Sequence, residues 1–274
     1  MDDVQTLDVQ TLHDAQRHHA AGHSLPVYAE VNQRGEAIAF AFAFDWPGAC
    51  GWGASLDAAL SKLERDIAFT HSWLLSHGIE CSYEGPLRLA VVETVPATGV
   101  PLECDSEGFF TWDANPYTDH EVDFTQKLLG FSREDLLRLM EGLRDREAAL
   151  NLRLVEGKRT ILEILDHIAI AEWWYATRVL PDPSVVGDWE DYGNTAFERL
   201  SSIRAMFLHT FLAGLRDAPA SERCRTFCHM GETWSARKVL RRAVWHELLH
   251  YKQLLRLVPK VEAAIAGKPA VGAV

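Results

Sequence analysis

The stretch that decides the fold of the C-terminal half is WSARKVLRRAVWHELLHYKQLLRLV, residues 234–258. Read as a helix, it carries apolar residues on both sides, such as Val239 and Leu248, and this pattern predicts a helix buried over much of its girth. It also contains His246-x-x-x-His250, which places two imidazoles one turn apart on one face. Histidines on a buried helix must be neutral, hydrogen-bonded or metal-bound. The pair alone does not separate a metal site from chance, because many helices carry this spacing.

A second apolar helix is predicted at residues 159–180, RTILEILDHIAIAEWWYATRVL. His167 lies in its middle. Three neutral imidazoles from two helices are a common ligand set for a divalent transition metal, and they leave a coordination position open for water or substrate. The sequence therefore predicts a metal site formed by His167, His246 and His250.

Two charged residues are candidates for the surroundings of this site. Glu163 lies one turn before His167 and could accept a ring N–H and fix the tautomer, although a solvated glutamate fits the spacing equally well. Arg242 lies one turn before His246 and could hold an anionic group near the metal, or it could pair with a carboxylate on another helix. Glu247 points about 100° away from His246 and is therefore a poor general base.

Composition limits the class of protein. The 274 residues suggest two domains. The net charge of −12 argues against general binding to a nucleic-acid backbone. No apolar run reaches the roughly 20 residues of a membrane span, and the acidic N-terminus resembles no targeting signal, so we expect a cytoplasmic protein without membrane contact. Five irregularly spaced cysteines argue against a disulfide framework.

The predicted organisation is α+β. An N-terminal arm at residues 1–24 carries His13, His18, His19 and His23, which could scavenge metal, although a solvated segment is the simpler interpretation. A small β-β-α-β domain follows at 25–125, with a helix at 56–77 capped by Ser55. Ser132 and Asp135 form a possible capping box that starts a helical domain at 130–262, and a flexible tail follows at 263–274. The predicted helices of that domain span residues 133–152, 159–180, 195–215 and 235–259. Four helices with one long connection suggest a bundle.

The N-terminal domain resembles the HicB family. The segment FDWPGACGWGASLDAALSKL has its signature: a strand that ends in Pro-Gly, a glycine-containing loop, then Ser-Leu and an acidic, alanine-rich helix start. The resemblance covers about residues 25–95. It implies an antitoxin half or an adaptor fused to another module. No ribbon-helix-helix or helix-turn-helix pattern accompanies it, which favours a structural or sensing role.

The helical half resembles the DinB/YfiT-like superfamily of metal-dependent enzymes. The resemblance rests on the histidine and aromatic cluster of DHIAIAEWWY, on the lead-in GETWSARKVLRR, and on WHELLH, in the expected order over about residues 130–260. It implies an up-down-down-up four-helix bundle and a metal bound by His167, His246 and His250. It also implies chemistry on a small molecule, either hydrolysis or transfer of a low-molecular-weight thiol such as mycothiol or bacillithiol, and it makes a homodimer possible.

Zinc and nickel are the metals that we expect first, although histidine ligands suit cobalt and iron(II) as well. Two other functions remain open at this point. The string HELLH also matches the zinc-protease pattern H-E-x-x-H, but no third histidine follows it. Alternatively, the helical half is a non-catalytic, metal-stabilised scaffold, and the HicB-like part is a partner-binding or toxin–antitoxin-related adaptor.

Overall fold

The protein is described by a computed structural model that covers residues 24–41, 47–80 and 88–267. The chain divides between Phe110 and Thr111 into two compact units. The first unit is mixed α+β with a small sheet, and the second is mainly helical, as predicted. Within the described parts of the chain, none of the helices combines the length and the apolar character needed to cross a bilayer.

Among the described residues of the first unit, the sheet has four strands, in the order β3-β2-β1-β4. Strands β1 and β2 are antiparallel, as are β2 and β3, whereas β4 runs parallel to β1. Helix α1 connects β3 to β4. Its N-cap is Ser55, as predicted, and its C-cap is His77, where the predicted helix ends. The bounds are β1 Leu25–Val31, β2 Ala37–Phe40, β3 Cys50–Gly53, α1 Leu56–Ser76 and β4 Leu89–Pro96.

Strand β3 corrects the predicted β-β-α-β order, because the Gly51-Trp52-Gly53 segment is itself a strand and not a strand breaker. The register pairs Gly51 with Ala39 and Gly53 with Ala37, so one face of the sheet carries almost no side chain there. Helix α1 uses this flat surface. A Cβ atom added to Gly51 would lie 2.1 Å from the carbonyl oxygen of Ala59 in that helix.

The described part of the second unit, residues 111–267, contains four long helical segments, α2 to α5. Helix α3 packs against α4 and α5, and α2 packs against α5. The α4 segment continues through a π turn, Phe207–Leu212, into Ala213–Asp217. A hairpin of β5 and β6 leads directly into α5. The bounds are α2 Asp119–Met140, α3 Ile161–Thr177, α4 Ala196–Met206, β5 Thr226–His229, β6 Glu232–Ser235 and α5 Ala236–Ile265.

The start of α2 differs from the predicted start at 133. A reciprocal capping box between Thr118 and Glu121 begins the helix, so the predicted cap Ser132 lies buried inside it. The hydroxyl of Ser132 donates instead to the carbonyl oxygen of Leu129, at 3.3 Å. Consequently the predicted boundary at 125–130 falls within a continuous helix, and residues 111–125 belong to the second unit.

The last helix is longer than the sequence predicted. Helix α5 continues past the predicted end at Pro259 to Ile265 and so takes up the first residues of the predicted tail. The four histidines of the predicted N-terminal arm and residues 268–274 lie outside the described residues. Among the cysteines that the structure describes, Cys50 is buried, whereas Cys224 and Cys228 are exposed.

Candidate metal centre

Helices α3 and α5 bring the three predicted histidines together. Nε2 of His246 lies 3.0 Å from Nε2 of His167 and 3.2 Å from Nε2 of His250. These separations are close to the roughly 3.3 Å expected between two nitrogens bound tetrahedrally to one zinc ion at about 2.0–2.1 Å. The cluster can hold a metal ion, and it is the sole group of three or more possible ligand residues among those that the structure describes.

The protonation state of the rings suits metal binding. The pKa of His167 is lowered to about 3, mainly by burial and also by electrostatic interaction with His250 and Arg159. Burial likewise lowers the pKa of His250 to about 4, against the opposing effect of the hydrogen bond to Gln253. The pKa of His246 is well below its usual value, mainly because of burial. All three imidazoles are therefore neutral at pH 7, which is the form that binds a metal.

One hydrogen bond fixes which nitrogen of His250 faces the cluster. Its Nδ1 lies 2.8 Å from Oε1 of Gln253. Because an amide oxygen only accepts, Nδ1 carries the proton and Nε2 presents a lone pair to the other rings. Nε2 of His167 and Nε2 of His246 face each other across 3.0 Å. Two neutral rings can place at most one proton between these nitrogens. A divalent cation, by contrast, would accept a lone pair from each of them. The donor set therefore fits a transition metal.

The three rings differ in their exposure. His246 and His250 are 8% and 7% exposed, whereas His167 is partly exposed. Tyr175 stands edge-on to His246 with ring centroids 5.7 Å apart, and it is buried. His167 is therefore the most exposed of the three rings.

Glu163 has a different neighbourhood from the one expected for a residue that supports a metal ligand. Its Oε2 accepts the backbone N–H of Thr160 at 2.7 Å, which completes the capping box of α3. Its Oε1 accepts from Arg153 at 2.6 Å, and the side chain is about half exposed. The observed contacts therefore give Glu163 a role at the helix start rather than at the ring of His167.

Arg242 lies next to the cluster but behind aromatic rings. Its guanidinium carbon is 5.3 Å from the ring centroids of both Tyr175 and Trp234, and its Nη1 is 3.4 Å from Oε1 of Glu232. Its positive charge contributes to the lowered pKa of His246, after burial and the other two histidines. Arg242 is thus near the cluster, and its proposed role in holding an anionic group stays a prediction.

A buried charged network that was not predicted from the sequence also involves the two ligand helices, α3 and α5. We call it the quartet: Arg133 of α2, Glu172 of α3, Arg204 of α4 and Glu247 of α5, each between 2% and 7% exposed. Each arginine is paired with both glutamates. The sequence signal was available as four charged residues at otherwise apolar helix positions, but they are up to 114 residues apart.

Both carboxylate oxygens of Glu247 are bound by arginines of the quartet. Its Oε1 accepts from Nε of Arg133 at 2.9 Å, and its Oε2 accepts from Arg204 and Arg133. Burial alone would raise the pKa of Glu247, but the charges and hydrogen bonds of the two arginines outweigh burial and lower it. Both oxygens are occupied and the carboxylate is a weak base, so Glu247 does not act as the general base of a zinc protease.

The mainly helical second unit thus carries a three-histidine group that could hold a metal ion. The sequence profile of the DinB superfamily matches residues 128–254, so the resemblance of this part of the chain to that superfamily is confirmed. The matched residues include all three histidines and the quartet. Comparisons with curated proteins and with solved structures gave no significant match.

Proposed function

We propose that the protein is a metal-dependent enzyme of the DinB-like kind that acts on a small molecule. The observation that carries the proposal is the convergence of three neutral Nε2 atoms from α3 and α5, one of them in a partly exposed ring. The match of this region to the DinB superfamily supports it. We further propose that the helices form the up-down-down-up bundle that this resemblance implies.

Zinc or nickel is the metal that we propose, held by His167, His246 and His250. A metal bound by three histidines can polarise a carbonyl group, lower the pKa of bound water or stabilise a thiolate. Thiol transfer and hydrolysis are both compatible with such a site. The residues around it would orient the ligands: Gln253 accepts the Nδ1–H of His250, and Tyr175 packs against His246.

Metal analysis tests the first step. The protein should be purified without an affinity tag, with His13, His18, His19 and His23 replaced by asparagine so that scavenging at the N-terminus does not contribute. We expect about one equivalent of metal, and less than a tenth of an equivalent after His167→Ala. His209→Ala is the matched control, because His209 is exposed on the same unit. Metal content below a tenth of an equivalent before substitution would contradict the proposal.

A turnover panel tests the second step. The metal-loaded protein would be assayed with mycothiol and bacillithiol plus electrophilic acceptors, and with a set of small esters and amides. We expect activity with one class, abolished by chelation and by His246→Ala, and restored by metal in the wild type alone. A protein that binds its metal but turns over no member of the panel would count against an enzyme.

The alternative outcome has its own signature. A metal-stabilised scaffold would bind metal without turnover, and a binding partner would be lost when the first unit is removed. The HicB-like assignment of residues 25–95 remains a prediction from the motif around the start of α1. The homodimer and the cytoplasmic location also remain predictions.

A further inference from the structure

The quartet joins the same two helices that carry the metal ligands. Glu172 is on α3 with His167, and Glu247 is on α5 with His246 and His250. The two arginines come from α2 and α4, so the quartet links all four long helical segments. Each arginine also donates to a backbone carbonyl of the other arginine's helix: Arg133 to Leu200, and Arg204 to Leu129.

Histidines and quartet glutamates leave α3 and α5 in different directions. Neighbouring residues of a helix point about 100° apart, so His246 and Glu247 leave α5 in different directions. On α3, His167 and Glu172 are five residues apart and differ by about 140° on the same count. A rotation of either helix that moved its histidine would also move its glutamate away from the two arginines.

The electrostatics of the quartet favour a fixed geometry rather than a large gain in stability. Two arginines and two glutamates have no net charge, and each carboxylate is bound by both guanidinium groups. Replacing such a buried ionic network by apolar residues is often neutral or stabilising, because the cost of desolvation offsets the attraction. Its directional hydrogen bonds, however, tolerate little displacement of the helices.

We propose that Arg133, Glu172, Arg204 and Glu247 are positioning residues that fix the rotation of α3 and α5 and thereby hold the three histidine nitrogens at metal-binding separations. They contact neither metal nor substrate. This inference rests on the proposed function, since it concerns the geometry of the same histidine cluster.

The first test replaces the whole quartet by apolar residues: Arg133→Met, Glu172→Leu, Arg204→Met and Glu247→Leu together. We expect a thermal unfolding midpoint equal to or above that of the wild type. We also expect at least about a tenfold weaker zinc affinity in a competition titration, as for the loss of residues that orient metal ligands. The absorption spectrum of the cobalt(II)-substituted protein should broaden or shift.

A matched control uses another ion pair between α2 and α5, in which Glu121 is buried and Arg237 is partly buried. Nε of Arg237 donates to Oε1 of Glu121 at 2.7 Å, nine residues before His246. Arg237→Met with Glu121→Leu should change the unfolding midpoint but leave the zinc affinity and the cobalt spectrum as in the wild type. A purely structural quartet would behave like this control.

A second variant keeps the test decisive if the apolar quartet does not fold. Arg204→Lys preserves the charge but loses the planar fork that reaches both carboxylates. We expect this variant to fold and to bind zinc several-fold more weakly. Wild-type affinity and cobalt spectrum in either folded variant would overturn the inference.

The outcomes separate this inference from the proposed function. If the wild type binds metal at the three histidines but has no turnover, the enzyme proposal fails, and the inference is still decided by the variants. If the variants bind metal as the wild type does, the inference fails and the enzyme proposal remains. A wild type that binds no metal overturns both.

Discussion

Neutral rings are the form in which the three histidines meet, and burial is the main reason. With pKa values of about 3 for His167 and about 4 for His250, protons compete with a metal at these nitrogens only in acid. Nε2 of His246 lies 3.0 Å from Nε2 of His167 and 3.2 Å from Nε2 of His250, and one ligand nitrogen of each ring lies within 4.8 Å of the others. At the scale of residues, the cluster is already in the protonation state and the arrangement that a metal requires.

Glu163→Gln should leave metal binding unchanged. The side chain accepts from Thr160 and Arg153 at the start of α3, and glutamine preserves the capping box. We therefore expect zinc affinity within twofold of the wild type in a competition titration. Thr160→Ala, by contrast, should lower the free energy of unfolding by about 1 kcal/mol, because the helix loses its N-cap. A tenfold loss of zinc affinity in Glu163→Gln would restore the role that spacing alone suggested.

Lys238 should make stability depend on pH in the alkaline range. Its side chain is fully buried beside Glu232 and over the ring of Trp234, and burial lowers its pKa to about 8, with the charges of Arg241 and Arg242 adding to the shift. Between pH 8 and 10.5 the unfolded chain holds a proton that the folded chain has lost. The contribution of this group to the free energy of unfolding is therefore highest above pH 10.5, where Lys238 is neutral in both states. It decreases as the pH falls to about 8, because the folded chain then has to bury a charged lysine.

The measurement is urea unfolding of the wild type and Lys238→Met at pH 7.5, 8.5, 9.5 and 10.5. The free energy of unfolding of the wild type, relative to the variant, should rise by roughly 3 kcal/mol over this range, at about 1.4 kcal/mol per unit of pKa shift. The comparison cancels the titration of tyrosines that both proteins share. A difference that stays constant with pH would show that Lys238 has an ordinary pKa.

The three histidines could be predicted from the sequence, whereas the contacts of Glu163 could not. His167, His246 and His250 could be found from the sequence because helical spacing and apolar flanks place them on two buried helices. The contacts of Glu163 could not be found by the same spacing, because its partner Arg153 lies in the irregular segment before α3. Spacing along one helix gives the direction of a side chain, but not what stands opposite to it.

At the scale of elements, the helices were predicted well where their caps are conspicuous and poorly elsewhere. The start of α1 at Ser55 follows from its sequence, whereas the Thr118–Glu121 box that starts α2 lies in a stretch that the sequence analysis assigned to the first domain. Strand β3 was missed because its glycines are usual turn residues. They form a strand here because α1 lies against them, and this contact is not encoded locally.

Gly51→Ala should destabilise the first unit. The added Cβ would lie 2.1 Å from the carbonyl oxygen of Ala59 and 2.3 Å from the backbone nitrogen of Leu63, so helix α1 would have to move away from the sheet. We expect a loss of about 1–3 kcal/mol or more, as for overpacked cores. Gly35→Asn is the control, since nothing lies within 4 Å of a Cβ there and asparagine tolerates its positive φ. Equal unfolding midpoints for the two variants would contradict the close contact.

At the scale of the whole molecule, the α+β class and a helical C-terminal half followed from the order of patterns along the chain. The quartet did not follow, because Arg133, Glu172, Arg204 and Glu247 become neighbours only when all four long helical segments are packed. No local pattern links positions so far apart. The division at Phe110 was likewise hidden, because it depends on which side chains each segment contacts and not on composition.

If the two compact units unfold independently, they should respond separately to metal, because a ligand stabilises the part of the chain that binds it. We expect calorimetry to show two transitions. Zinc at about 100 times its dissociation constant should stabilise the helical unit by about 2.7 kcal/mol relative to the protein in EDTA. This corresponds to a rise of roughly 5–10 °C in its midpoint, and the other transition should not move.

Gly51→Ala should lower only the transition that is insensitive to metal, and His246→Ala should abolish the shift produced by zinc. If zinc and Gly51→Ala move the same transition, the units unfold as one cooperative body and their energetic independence is wrong.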